Sequence, residues 1–130
     1  GISHPLTGVG VNNFLVNYYA YSSHWDGKNH AVHSTWFSVL AETGILGLAV
    51  FVVMVVANVR SARSTLLKLE TVSTSESGFQ PMILTMSRAV MAGFVGFLVS
   101  GTFLNQSLNW PFYVLLALNV ATTRFANGEE

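Results

Sequence analysis

Two long stretches of the chain carry no charge, and this distribution constrains the fold more strongly than any other sequence feature. Residues 89–123 are 35 consecutive uncharged positions, and residues 43–59 are 17 more. Charged residues make up 9% of the 130 positions, whereas soluble globular proteins contain roughly 25%. Because a helix needs about 20 mostly apolar residues to cross a membrane, the pattern predicts an all-α, polytopic membrane protein.

The uncharged stretches predict three transmembrane helices. The shorter stretch reaches the length of a span only if its helix begins near Ser34. The longer stretch exceeds one span, and Asn105, Gln106, Asn109 and Pro111 interrupt it. The last helix is short for a full crossing. The predicted order is a loop segment at 1–33, a transmembrane helix at 34–59, a loop at 60–80, a transmembrane helix at 81–104, a turn at 105–110, a transmembrane helix at 111–123 and a tail at 124–130.

The basic residues predict the orientation of these helices. Five of the six Lys and Arg residues lie between residues 60 and 88 or in the tail, and Lys28 alone lies in the loop segment. In membrane proteins the cytoplasmic loops carry the excess of Lys and Arg. We therefore expect the 60–80 loop and the tail on the cytoplasmic side, and the loop segment 1–33 outside.

The start of the chain predicts that it belongs to a larger protein. The first 30 residues lack the basic start and apolar run of a signal peptide. Three helices with an aromatic-rich outer segment would leave polar groups unpaired in lipid, where they are costly. We therefore expect further helices upstream, which makes this chain a C-terminal fragment of a multi-span protein.

The composition excludes several kinds of site. Six basic and six acidic residues give a net charge of zero, so the chain offers no basic surface and we expect no nucleic-acid partner. Cysteine is absent, which excludes disulfides, cysteine-ligated zinc, iron–sulfur clusters and thiol catalysis.

All four histidines lie in the first 42 residues, together with most of the polar chemistry of the chain. His24, His30 and His33 can in principle hold a metal, since His30 and His33 would share a helical face. Their spacing matches no strong metal signature and favours a solvated loop. Asp26 and Glu42 alone do not form the carboxylate cluster that magnesium or manganese requires. We predict no metal and no cofactor.

Ser34, Ser38 and Glu42 recur every four residues and predict a polar stripe that faces the protein interior or a wet cavity. Glu42 has two open interpretations, as a functional ionisable group at the membrane edge or as a brace for a neighbouring helix. His33 lies at the outer mouth of the first helix, where an imidazole can take a proton from a hydroxyl or serve a structural role. About 13.5 Å of helix separates His33 from Glu42, so they do not form a local acid–base pair.

A row of small residues on the second helix predicts close packing against a neighbouring helix. The row consists of Ala92, Gly96 and Ser100, with Gly93 and Gly101 beside it. Gly44 and Gly47 on the first helix receive the same packing interpretation.

Residues in the first 47 positions form an ordered motif. Its first part is His4-Pro5-Leu6-Thr7-Gly8-Val9-Gly10-Val11-Asn12-Asn13-Phe14. Its second part is His33-Ser34-Thr35-Trp36, with Leu40-Ala41-Glu42-Thr43-Gly44-Ile45-Leu46-Gly47 following, so that Glu42 stands nine residues beyond His33. This combination resembles the C-terminal signature of the O-antigen ligase and O-antigen polymerase family of bacterial inner-membrane proteins. The resemblance is strong over about residues 4–60 and extends to the last two helices by topology.

The resemblance implies a multi-pass, metal-independent glycosyltransferase with its active face in the periplasm. Such an enzyme moves a glycan from an undecaprenyl diphosphate carrier to an acceptor hydroxyl on lipid A core, on another glycan or on a protein. The acceptor oxygen attacks the anomeric carbon and the diphosphate leaves. Partners are thus the lipid-linked donor, the acceptor and membrane lipid. Ligases and polymerases share these motifs, so the sequence does not separate them.

The resemblance also assigns candidate site residues. His33 matches the family's functional histidine and is the candidate catalytic base, or the group that orients the acceptor hydroxyl. His30, Glu42, Gly8 and Gly10 are candidate substrate-binding residues. Gly8 and Gly10 have two interpretations, as a backbone turn near the diphosphate or as an ordinary loop turn.

The chain departs from the family pattern in its arginines. The family holds the leaving diphosphate with periplasmic arginines, which pair with phosphate oxygens in bidentate fashion. Arg60, Arg63, Arg88 and Arg124 all lie on the predicted cytoplasmic side. We therefore expect the required arginines upstream and expect these 130 residues alone to be inactive.

Other classes of function stay open. A membrane transporter or flippase module would use Glu42 and the histidines as proton-relay or substrate-contact groups, although the chain shows no inverted repeat of helices. A non-catalytic helix-packing domain would tolerate the loss of His33. A cell-wall polymerase that uses a similar lipid carrier is a further enzyme alternative.

Overall fold

The computed structural model of the chain describes residues 4–16, 18–23, 25–28, 33–72, 79–105 and 109–128. This part of the chain is helical and contains no strand, so the predicted all-α class is confirmed. Its helices, in chain order, are α1 (Asn13–Val16), α2 (Tyr18–Tyr21), α3 (Thr35–Val72), α4 (Phe79–Phe103) and α5 (Trp110–Asn127).

Two of the described helices are long and apolar enough to cross a membrane, α3 over Thr35–Thr71 and α4 over Pro81–Phe103. The most apolar window of α3 is 22% buried, and that of α4 is 28% buried. The core helix of a soluble protein buries its apolar side chains, whereas Val50 and Val53 of α3 are 68% and 67% exposed. Length, composition and exposure thus favour membrane association of these two helices.

The helices differ in their bounds from the predicted ones. α3 continues to Val72, through most of the segment predicted as the 60–80 loop. The continuation is amphipathic, because Ala62, Thr65 and Leu69 are buried at helical spacing while Arg63 and Lys68 are exposed. The predicted loop segment 1–33 contains the two one-turn helices α1 and α2.

α5 is the helix predicted as the third span. It runs beyond the predicted 111–123, over 18 residues, and it is not one of the two helices identified above as able to span a membrane. Asn109 caps its N-terminus, with its side chain accepting from the Trp110 N–H at 3.0 Å, and Pro111 occupies the first turn, where no N–H is needed. Gly128, with φ 73°, ends it in the left-handed conformation.

The chain divides into two compact units, residues 1–53 with 100–107, and residues 54–99 with 108–130. The second unit has a core of Ala62, Val90 and Phe94, and Phe97 stacks on Phe112 with ring centroids 4.9 Å apart.

Small residues are used differently from the predicted row. In the second unit Gly93 lies against Leu115, whose side chain occupies the space that a Cβ would need, whereas Gly96 has no atom within 4 Å of such a Cβ. In the first unit Gly101 lies against Thr35. Among the described residues the close contacts therefore fall on Gly93 and Gly101, the glycines beside the row, and the packing of Gly96 against another helix stays a prediction.

Candidate functional site at the break in helix α3

Helix α3 is interrupted at Gly44. This residue has φ 70° and ψ −170°, while the residues on both sides are helical. Such a break removes hydrogen bonds from the helix and leaves backbone N–H and C=O groups without helical partners. Unpaired backbone groups are costly in an apolar environment, so a break in a candidate membrane-spanning helix needs partners from elsewhere in the chain.

The N-terminal segment, residues 4–12, supplies these partners. The Val9 N–H donates to the Ala41 carbonyl at 3.0 Å, and the Gly10 N–H donates to the Glu42 carbonyl at 2.9 Å. From the other side of the break, the Ile45 N–H donates to the Pro5 carbonyl at 3.0 Å. The segment therefore completes the hydrogen bonding of α3 before and after Gly44.

Gly8 and Gly44 make this pairing possible. Both have a positive φ, 66° and 70°, which favours glycine. A Cβ on Gly8 would overlap the carbonyl of Glu42, and a Cβ on Gly44 would overlap the carbonyl of Leu6. The two glycines thus allow each backbone to lie directly against the other. This contact explains why the two parts of the motif carry glycine at these positions.

Gly47, the last glycine of the motif, has a different role. The side chain of Thr43 lies where a Cβ of Gly47 would be. The Thr43 hydroxyl donates to the Val39 carbonyl at 2.7 Å, on the N-terminal side of the break. The missing Cβ of Gly47 therefore leaves room for the Thr43 side chain within α3.

Glu42 is half-buried and holds the turn that follows Gly10. Its Oε2 atom accepts a hydrogen bond from the Asn12 N–H at 3.0 Å, and Asn12 has a φ of 60°, an uncommon conformation for a residue with a side chain. Carboxylate oxygens have about four acceptor positions, so Glu42 retains capacity to accept from a ligand hydroxyl. This contact favours the second interpretation of Glu42, as a brace, but the part it braces is a loop segment and not a helix.

The predicted polar stripe faces inward at two of its three positions. Ser34 and Ser38 are buried, and the Asn105 side chain donates to the Ser38 hydroxyl at 3.1 Å. The neighbouring Thr35 hydroxyl donates to the Leu104 carbonyl at 2.9 Å. These contacts give the hydroxyl groups of Thr35 and Ser38 hydrogen-bond partners within the first unit.

An apolar groove of about 420 Å³ lies where the N-terminal segment meets α3. One wall comes from α3 and the other from the segment and α1. Its lining residues are His4, Pro5, Phe14, Phe37, Leu40, Ala41 and Ile45. His4 is the titratable group among them, and Ala41 precedes Glu42 in the chain. Sequence reasoning placed His4 in the motif without giving it a role, and the contact of Asn12 with Glu42 carried no sequence signal.

The other predicted site residues lie in different places. His33 is exposed just before the start of α3 and is not among the groove residues. His24 and His30, together considered as metal ligands, and His30 as a substrate-binding residue, lie outside the described residues. Among the residues that the structure describes, no three His, Cys, Asp or Glu side chains are grouped so that they could hold a metal.

Gly8 and Gly10 have their backbone N–H groups occupied. The Gly8 N–H donates to the His4 carbonyl at 2.9 Å, and the N–H groups of Val9 and Gly10 donate to α3 as described above. A backbone site for an anion requires N–H groups that point at the ligand. The observed arrangement is that of a turn that packs on the helix, the second of the two interpretations of these glycines.

The chain matches no protein-family model, and no curated protein and no solved structure is significantly similar to it.

Proposed function

We propose that this chain is part of a membrane glycosyltransferase of the O-antigen ligase type, which transfers a glycan from an undecaprenyl diphosphate carrier to an acceptor hydroxyl. In this proposal three helices cross the bacterial inner membrane, and the N-terminal segment faces the periplasm. The observation that supports the proposal is the contact between the two parts of the motif. Asn12 and Glu42, which are 30 positions apart in sequence, are hydrogen-bonded beside the break in α3.

The surroundings of the break suit a substrate that is part lipid and part sugar. The groove beside it is lined mainly by carbon, and α3 exposes apolar side chains to its surroundings. Next to this apolar surface stand a carboxylate and an imidazole, Glu42 and His4. Apolar surface with a few placed polar groups is the usual composition of a ligand site.

The proposal gives the polar residues separate roles. His33 takes the proton of the acceptor hydroxyl as its oxygen bonds to the anomeric carbon and the bond to the diphosphate breaks. Glu42 accepts a hydrogen bond from a sugar hydroxyl, because a carboxylate would repel the diphosphate. Lys28 is the one Lys or Arg in the sequence of the first unit, so this unit supplies no guanidinium group for the diphosphate. His30 contacts substrate, and Gly8 and Gly10 shape the site.

A transporter is less well supported by the same geometry. Transporters with broken helices use the exposed backbone groups at the break to bind substrate or ions. Here the carbonyl groups of Ala41 and Glu42 and the N–H of Ile45 are already paired with the N-terminal segment. The break is therefore closed by the protein itself.

Replacement of His33 tests the catalytic role. In membranes that contain the full-length protein, we expect His33→Ala to lower transfer from the lipid-linked donor by about 10²–10⁴-fold, the usual contribution of a general base, with accumulation of donor. The matched control is His24→Ala, another histidine of the outer segment, measured at equal protein abundance. Normal product formation by His33→Ala contradicts the assignment, and equal loss in both variants indicates a shared metal instead.

Replacement of Glu42 separates hydrogen-bond acceptance by its carboxylate from proton transfer through it. Glu42→Gln keeps an oxygen that accepts hydrogen bonds but removes the charge, so we expect transfer to be retained. Glu42→Ala removes the acceptor and is expected to lower transfer. Loss in Glu42→Gln equal to that in Glu42→Ala would contradict hydrogen-bond acceptance and favour a proton relay.

A further inference from the structure

We propose that α3 carries a binding surface for an anionic phospholipid at the point where its apolar part ends. Arg60 and Arg63 hold the phosphate, and an acyl chain lies on Val56. These three residues form the basic stripe, which belongs to the second unit and follows the break at Gly44 in the chain. The inference goes beyond the proposed function, because it rests on the membrane placement of α3 and not on glycan transfer.

The basic stripe is one outward face of α3. Arg60 and Arg63 are exposed, and Val56 is 41% exposed. At 3.6 residues per turn, positions 56, 60 and 63 lie within about 60° of one another around the helix. Ala62 and Thr65, which are buried, lie on the opposite side. The packing of α3 in the second unit therefore leaves the stripe facing its surroundings.

The position of the stripe along α3 matches the boundary between hydrocarbon and headgroups. Arg60 is the first charged residue after the uncharged positions 43–59, and an apolar segment that crosses a membrane ends near the lipid headgroups. Val56 lies about 6 Å before Arg60 along the helix axis, on the hydrocarbon side. The arginine side chains therefore reach the phosphate level while Val56 contacts acyl chains.

The charge of the stripe is not neutralised by the described part of the protein. The acidic residue that the second unit contributes there is Glu70, which accepts a hydrogen bond from Arg88 at 3.2 Å. Glu70 lies about 10 Å beyond Arg63 along the helix axis. Within the described ranges Arg60 and Arg63 form no ion pair. Two guanidinium groups within one turn of each other favour phosphate, whose oxygens they bind in bidentate fashion.

The order of groups along the stripe favours a phospholipid over other anions. The stripe is apolar at Val56 and basic at Arg60 and Arg63, and a phospholipid joins its acyl chains to its phosphate in the same order. A free phosphate ion would make no contact with Val56. Clusters of Lys and Arg next to a membrane-spanning helix attract anionic headgroups. A zwitterionic lipid has no net charge and gains less from the two arginines.

Photolabelling of the full-length protein in vesicles tests the inference. The vesicles consist of phosphatidylcholine with a small fraction of phosphatidylglycerol that carries a diazirine in its acyl chain, and mass spectrometry locates the labelled residues. We expect label on α3 around Val56, competition by unlabelled phosphatidylglycerol, and no competition by inorganic phosphate. Phosphatidylcholine with the same diazirine measures lipid contact that ignores charge, and it is expected to label Val56 more weakly.

Two double variants that remove equal charge form a matched pair. Arg60→Gln with Arg63→Gln is expected to lower labelling by about 25-fold, because each basic residue near the membrane surface contributes about fivefold to the attraction of anionic lipid. Lys68→Gln with Arg88→Gln changes exposed residues off the stripe, so we expect labelling like that of the parent protein. Arg60→Lys with Arg63→Lys keeps both charges, which also preserves the orientation signal, and is expected to retain most of the labelling.

Five results overturn the inference. An unlabelled stripe would show that another part of the full-length protein or a second copy covers it. Equal losses in the two glutamine pairs would show diffuse attraction to the surface, and a loss in the lysine pair as large as in Arg60→Gln with Arg63→Gln would exclude charge as the cause. Equal labelling by the phosphatidylcholine probe would exclude selection of an anionic lipid. Competition by inorganic phosphate would assign the arginines to a free anion.

Glycan transfer by the parent protein is measured separately from the labelling. Absence of transfer would contradict the proposed function and leave the lipid surface standing, whereas transfer without labelling of the stripe would do the reverse.

Discussion

At the scale of single residues, Gly8 and Gly44 are required for two reasons at once. Each has a positive φ, and each lies where a Cβ would overlap a backbone carbonyl of the opposite segment. Gly27 separates the two reasons, because its φ is 86° but nothing lies within 4 Å of the Cβ position. A substitution of Gly27 therefore measures conformational strain without a steric clash.

We expect Gly8→Ala and Gly44→Ala each to lower the free energy of unfolding by about 3–4 kcal/mol, from left-handed strain and the loss of hydrogen bonds between the segment and α3. Gly27→Ala is expected to cost about 1 kcal/mol. Because both alanines disrupt one contact, the double variant should cost much less than the sum. Unfolding of the purified protein in detergent measures these differences, and equal costs for Gly8→Ala and Gly27→Ala would exclude the reciprocal contact.

At the scale of helices, the second unit joins α3 to α5 through side-chain amides and hydroxyls. The Asn119 side chain is 2% exposed and donates to the carbonyl and the Oδ1 of Asn58, at 3.2 and 3.0 Å. One turn farther along α5, the Thr123 hydroxyl lies 3.1 Å from that of Thr65. Hydrogen bonds between helices are a general means of association in membranes, where apolar surface gives little preference.

A double-mutant cycle on Asn58→Leu and Asn119→Leu is expected to give a coupling free energy of about 1 kcal/mol, within the range measured for such pairs in membrane proteins. Asn127→Leu on the last turn of α5 is the control, and its effect should add to that of Asn58→Leu within about 0.5 kcal/mol. Unfolding in detergent is the measurement. Additive effects of the Asn58 and Asn119 replacements would contradict the pairing.

At the scale of the whole molecule, α3 is longer than one membrane crossing. Its 38 residues include the break at Gly44, and about 20 mostly apolar residues are enough to cross the hydrocarbon. Its apolar part ends at Val59, and Arg60, Arg63 and Lys68 follow on the same helix. Under the proposed orientation, this charged continuation extends into the cytoplasm and the segment of residues 4–12 lies outside.

The absence of cysteine from the sequence permits a direct test of this orientation. Thr7 and Ser64 are both exposed. In intact bacterial cells, we expect an impermeant maleimide that reaches the periplasm to label Thr7→Cys, and to label Ser64→Cys only after the inner membrane is permeabilised. The parent protein is the unlabelled control. Labelling of Ser64→Cys in intact cells would contradict the orientation.

The class of fold could be predicted from the sequence, because long uncharged stretches favour helices that satisfy their own backbone. The sequence also placed Ser34 and Ser38 on a buried stripe, since helical periodicity is local. The break at Gly44 was not predicted, because a glycine within an apolar helix is compatible with straight packing as well. Local pattern likewise gave no reason for α3 to continue through residues 60–72, which are stabilised by the burial of Ala62, Thr65 and Leu69.

The contacts between the motif residues depend on tertiary structure and could not be predicted from the sequence. The pairing of residues 5, 9 and 10 with residues 41, 42 and 45 depends on the approach of two segments far apart in the chain. The same approach brings Asn12 to Glu42 and forms the two walls of the groove. Residue spacing within one segment cannot predict such contacts, because their free energy depends on groups from both segments.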